Sequence, residues 1–139
     1  MNRLTGTGPA VVLMVEDEPM IRLLGAEVLT HAGYVVIEAE DAAAAVRALE
    51  QHRNISLLFT DINMPGDMDG LALAQKVCGQ WPHVRLLLVS GRGEPSAGQM
   101  PRSARFLPKP YDLDELVGLV RLMLAAPPGC DRPPVQLAS

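Results

Sequence analysis

The chain has 139 residues, a length typical of one domain, so a second folded unit is not expected. Hydrophobic residues make up 48% and aromatics 4%, which excludes a disordered chain and leaves Leu, Val, Ile, Met and Ala to build the core. A formal net charge of -4 gives no attraction to nucleic acid, and apolar runs such as 10–15 and 86–89 are far too short to span a bilayer.

Met1 to Pro9 contain no apolar h-region, so no signal peptide is visible and a cytoplasmic protein is expected. Cys78 and Cys130 form no C-x-x-C pair. The first strand is expected at Ala10–Val15, a continuous apolar run suited to a parallel sheet covered on both faces. Pro19 then stands where a first helical turn tolerates it, and the helix is expected to run to Ala32 and stop at Gly33. A second strand follows at Tyr34–Ala39, and Asp41 is placed to cap an Ala-rich helix ending near Gln51. The third strand is Ser56–Thr60. A loop through Met64-Pro65-Gly66 leads to a helix over Gly70–Gln80, closed by Trp81-Pro82. The fourth strand is Arg85–Val89 and the fifth about Ala104–Leu107. Asp112 and Glu115 at capping-box spacing open a last helix running to about Ala125.

Residues 91–101 hold three Gly and two Pro, so a fourth helix there is expected to be short or mobile. The flanks are read as a disordered segment at 1–9 and a Pro-rich tail at 126–139, with the folded domain at 10–125. The fold expected is α/β: a doubly wound five-stranded parallel sheet with right-handed crossovers and helices on both faces.

Ligands of such sheets bind beyond the carboxyl ends of the strands. Here those ends carry Glu16-Asp17-Glu18, Asp61, Ser90 and Lys109. Each has an ordinary reading by itself: an acidic loop, a turn residue, loop chemistry, a surface lysine. Together they crowd carboxylates that a hard divalent cation would stabilise, beside a lysine and a hydroxyl able to meet phosphoryl oxygens. That is a phosphoryl-binding set with Asp61 as a possible nucleophile.

The ordered motifs Val15-Glu16-Asp17-Glu18, Thr60-Asp61-Ile62-Asn63-Met64-Pro65-Gly66, Asp69-Gly70, Val89-Ser90-Gly91 and Lys109-Pro110-Tyr111 resemble the receiver domain of two-component response regulators. The resemblance covers about residues 10 to 125. It implies the flavodoxin-like strand order 2-1-3-4-5. It implies that Asp61 is the phosphoacceptor, contacted by Lys109, and that Mg²⁺ (or Mn²⁺) is held by Asp17, Asp61, the Asn63 backbone carbonyl and Glu16, the last directly or through water. It implies a Ser90 hydroxyl that swings toward the phosphoryl group, an aromatic Phe106 that rotates inward, and a cis Lys109–Pro110 bond. The ending Lys109-Pro110-Tyr111 is similar to that of stand-alone receivers, and Tyr111 is either part of the switch or a ring packed beside the last helix. The loop after Asp61 is one residue longer than the commonest pattern.

The resemblance further implies a histidine kinase or histidine phosphotransfer protein as donor and a downstream protein target, with no direct nucleic acid and no membrane. Met20 and Leu23 on the first helix are candidates for the donor's docking edge. In the last helix Leu113, Leu116, Val117, Val120 and Leu124 read as the core stripe, which leaves Leu119, Leu122 and Met123 for a homodimer or partner face. Two rivals remain: an interaction module of the same fold without phosphorylation, and a Mg²⁺-dependent phosphatase with an aspartyl nucleophile. Asp61-Ile62-Asn63 lacks the second acid that such phosphatases resemble.

Overall fold

Apolar β-branched runs and capped helices alternate along the chain, and in the computed structural model they fold in that order. Residues 8–96 and 98–126 are described. The elements are β1 (Val11–Val15), α1 (Pro19–His31), β2 (Val35–Ala39), α2 (Ala42–Gln51), β3 (Ile55–Asp61), α3 (Gly70–Gln80), β4 (Arg85–Ser90), β5 (Arg105–Pro108) and α4 (Leu113–Ala125). The flanking segments foreseen at 1–9 and 126–139 fall almost wholly outside the described residues.

The five strands form one parallel sheet in the order β2-β1-β3-β4-β5. All five residues of β1 are buried, as are most of β3 and β4, because helices cover both faces. Successive side chains serve two cores. Leu13, Val15, Leu58 and Leu88 pack with α2 and α3, while Val12, Met14, Phe59, Leu87 and Val89 pack with α1 and α4. The register between β1 and β3 steps from Val11↔Ile55 to Val12↔Leu57, so Ser56 is an extra residue. This bulge lets Ile55 and Leu57 face opposite cores although they are two residues apart.

The caps explain the boundaries. The Asp41 carboxylate accepts from the Ala44 N–H and Asp69 from the Ala72 N–H, while Asp112 and Glu115 complete a capping box. After α1 the chain turns at Gly33 with φ +105°, and Tyr34 N–H returns to the Leu29 carbonyl.

Two expectations change. Between β4 and β5 the described residues form bends and turns with no helix. Gly93 and Gly98 hold φ of +94° and +95°, a left-handed geometry that interrupts a right-handed helix each time it occurs. On α4 the buried stripe is Leu116, Val120 and Met123, with Leu119 packed beside it. Met123, first assigned to an outer face, therefore belongs to the core, and Leu122 is the large apolar residue left exposed there.

Candidate functional site

Strand register alone assembles the rim. Val15 lies opposite Thr60, Asp61 opposite Val89, and Ser90 opposite Pro108, so Glu16, Asp61, Ser90 and Lys109 emerge within one or two residues of the same line. Glu16, Asp61 and Ser90 are buried. Glycine at position 70 lets α3 start directly beneath this rim. A Cβ there would lie 2.1 Å from the Asp61 carbonyl oxygen and 2.7 Å from Ile62 Cα, and the Gly70 N–H instead donates to the Ile62 carbonyl at 2.9 Å.

Glu16 is bound at three points. Its backbone N–H donates to the Ala39 carbonyl at 3.0 Å, its carboxylate accepts from the Glu18 N–H at 3.0 Å, and its carbonyl accepts from the Arg22 guanidinium at 2.7 Å. Arg22 also reaches Glu38 on β2 at 3.3 Å, tying the acidic loop to the sheet edge. Asp61 Oδ1 accepts from the Asn63 N–H at 2.9 Å, while Oδ2 accepts from Lys109 Nζ at 2.5 Å. Lys109 Nζ is also 3.5 Å from Glu16 Oε1, and its backbone N–H donates to the Ser90 carbonyl at 2.9 Å. The Lys109–Pro110 bond is cis.

Burial pushes the Glu16 carboxyl above its ordinary value, against the opposing pull of the Glu18 N–H and the Lys109 ammonium. Burial would depress Lys109, but its hydrogen bond to Asp61 and the charges of Asp61 and Glu16 prevail and hold the ammonium above its usual range. The arrangement therefore keeps a positive charge between two buried carboxylates.

One carboxylate oxygen each from Glu16, Asp17 and Asp61 lies within 4.8 Å of the others, and this is the one such acidic group among the described residues. Three hard oxygen donors beside a rim open to water suit Mg²⁺, which takes few protein carboxylates and retains other oxygen ligands. Asp17 is the most open of the three, Asp61 and Glu16 the more enclosed.

Ser90 Oγ donates to Asn63 Oδ1 at 2.8 Å and accepts from the Arg92 N–H at 3.0 Å. Phe106 pairs with Leu88 across β4–β5, two residues before Ser90, so strand alternation puts Phe106 and Ser90 on one face of the sheet. Phe106 is partly buried against the α2–α3 core. Tyr111 lies on the other side, edge-on to Phe59 with ring centroids 6.1 Å apart, and burial raises its hydroxyl pKa.

Arg22 was missed by sequence reasoning, and the motifs that contain Thr60, Asn63 and Gly70 were noted without the roles seen here: the Thr60 hydroxyl that donates to the Asp61 carbonyl at 3.0 Å, the Asn63 side chain and the close approach at Gly70. Arg22 had a legible signal: one helical turn from the Glu-Asp-Glu loop, an arginine can fold back onto that loop's carbonyls.

A parallel 2-1-3-4-5 sheet whose carboxyl rim joins three acids to a lysine defines a receiver-type α/β domain. The sequence matches the family described as response regulator receiver domain over residues 12–121, and the chain belongs to that family. It is 34% identical over 118 residues to the response regulator receiver protein CpdR of Brucella abortus, covering 83% of this chain and 97% of that protein, which is therefore a receiver and little else. It is 35% identical over 122 residues to the sensor kinase CckA of the same organism, covering 85% of this chain but 13% of that protein. The solved receiver domain of NtrX from Brucella abortus is 34% identical with a TM-score of 0.75, covering 83% of this chain and 98% of that one. No helix among the described residues is long and apolar enough to cross a membrane.

Proposed function

We propose that the chain is a phosphorylation-switched signalling protein of a two-component or phosphorelay system, with residues 10–125 as the working unit. The observation that supports this most directly is the Lys109 ammonium lodged between Asp61 and Glu16 beside Asp17. Asp61 is the phosphoacceptor. Its carboxylate oxygen forms a bond to the phosphorus of a partner's phosphohistidine while the P–N bond breaks and the imidazole leaves with the bonding pair. The Asn63 N–H fixes one Asp61 oxygen and thereby the plane of the carboxylate. Lys109 neutralises charge on the transferring oxygens.

Asp17, Asp61, the Asn63 backbone carbonyl and Glu16 would hold Mg²⁺ or Mn²⁺, which supplies further neutralisation of the phosphoryl charge. The Ser90 hydroxyl then donates to the acyl phosphate, and Phe106, on the same sheet face, follows it, with Tyr111 closing the opposite side. Water later cleaves the acyl phosphate, so the chain catalyses its own phosphorylation and dephosphorylation.

The donor is a histidine kinase or histidine phosphotransfer protein. On α1, Met20, Leu23 and Leu24 are about half exposed or more, and a groove of about 450 Å³ between Ile21, Leu24, Lys109, Pro110, Tyr111 and Leu113 adjoins the acidic rim. That apolar edge supports docking of a donor helix beside Asp61. A downstream protein reads the modified form in the cytoplasm. Leu122 is a candidate contact for a homodimer through the last helix.

Incubation with acetyl phosphate and Mg²⁺ followed by intact mass tests the reading. A phosphate-sized gain is expected, lost on Asp61→Ala or on removal of Mg²⁺. No gain under any condition would instead favour an interaction module that does not use phosphorylation.

A further inference from the structure

Ser90 is 2% exposed, and the one proton of its hydroxyl is already engaged. The single proton is given to Asn63 Oδ1 at 2.8 Å, and a lone pair receives the Arg92 N–H at 3.0 Å. Its backbone is held separately, since the Ser90 carbonyl accepts from the Lys109 N–H. The hydroxyl can therefore be redirected by rotation about the side chain alone, without moving the strand. A hydroxyl has one proton to donate, so it cannot serve Asn63 and a group on Asp61 through the same bond.

The two partners of this bond are unlike. Asn63 is exposed, so water replaces the lost contact when its carboxamide is released. Ser90 is buried and needs a new acceptor, which in the proposed function is the phosphoryl group. Rotation of Ser90 also withdraws the acceptor of the Arg92 N–H, the second residue after β4 and the start of the turns that lead to β5.

We propose that the Asn63 side chain is a positioning residue that turns the Ser90 hydroxyl away from Asp61, so that the carboxamide and a phosphoryl group on Asp61 compete for one hydrogen bond. The proposal rests on the phosphoacceptor reading and adds a residue whose side chain that reading does not use. Asn63 then sets how readily the modified state is reached, and Arg92 is the first backbone group to register the change.

Beryllofluoride, a phosphoryl mimic, with Mg²⁺ is the probe. Its apparent affinity is titrated by NMR in the wild type, Asn63→Ala, Ser90→Ala and the double variant. Asn63→Ala is expected to tighten binding by about 2- to 12-fold, the range of one net hydrogen bond. The effect should vanish in the Ser90→Ala background. An equal gain in both backgrounds, no gain, or weaker binding in Asn63→Ala overturns the competition.

Amide hydrogen exchange at Arg92, measured without the mimic, supplies a readout independent of Asp61. Faster exchange in Asn63→Ala, at unchanged melting temperature, supports the positioning role, and unchanged exchange overturns it. A wild type that takes up no beryllofluoride defeats the phosphoacceptor reading and the competition together, while Arg92 exchange still decides whether the carboxamide orients Ser90.

Discussion

The acidic rim and the β4–β5 connection meet at Ser90, the last residue of β4, yet they are held by different means. The rim residues follow directly from buried parallel strands whose register puts Val15 beside Thr60 and Asp61 beside Val89. Among the described residues of the connection, Met100 and Ala104 rest on the α2–α3 core, and backbone bonds close Ser96 on Gln99 and Pro101 on Ala104. Further ties are exposed side-chain bonds: Gln75 Nε2 to the Gln99 carbonyl at 3.0 Å, and the Ser96 N–H and hydroxyl to Gln99 Oε1 at 2.8 and 3.0 Å. Groups that must meet a charge within tenths of an ångström stand on the cooperative part of the sheet. The connection has fewer buried contacts and is tied in larger part by exposed bonds that water can replace.

Rim variants should therefore change chemistry by orders of magnitude and connection variants should not. Asp61→Ala should abolish phosphoryl uptake from acetyl phosphate, read by intact mass. Lys109→Met comes next. It leaves Asp61 and Glu16 buried without their ammonium, and the uptake rate should fall about 10²- to 10³-fold, comparable to removing one preorganised charge-stabilising donor. A rate within about threefold of wild type would show that the lysine is structural.

Gly70→Ala probes the frame beneath the rim. The new methyl would sit 2.1 Å from the Asp61 carbonyl and against the Ile62 backbone, neither of which can step aside like a flexible side chain. A loss of about 1–3 kcal/mol or more is expected in chemical denaturation, together with slower phosphoryl uptake because the Asp61 backbone must shift. Full stability with altered uptake would mean that α3 moves rather than β3.

Much of this was legible in the sequence for stated reasons. Continuous apolar runs announced the parallel strands, Asp41 and Asp112 announced the starts of α2 and α4, and the strand ends named the acids and the lysine that the structure brings together. What was not legible depends on side-chain direction. Whether Asn63 uses its carboxamide or its backbone is decided by the turn after Asp61, where its N–H meets Oδ1 and its side chain reaches Ser90. The outer face of α4 was misread because Leu119, Leu122 and Met123 are all apolar. Met123 lies three residues after Val120 and seven after Leu116, a spacing that puts it on the buried stripe once that stripe is anchored at Leu116 rather than Leu113.

The smallest effect belongs to the connection. Gln75→Ala removes the donor that ties α3 to the Gln99 carbonyl in an exposed setting where water can take its place. The loss of stability should be about 0.5–1 kcal/mol, near the low end for a hydrogen bond. Phosphoryl uptake should stay within about twofold of wild type, because the hydrogen bonds of the Gln75 side chain and of Gln99 among the described residues go to each other and to Ser96, not to the rim. Exchange of the amides over 98–104 should quicken while those of β3 stay protected, since a local opening need not pass through the sheet. A variant that slowed uptake as strongly as Lys109→Met would show that the connection holds the rim in place, and the division between the two regions would have to be given up.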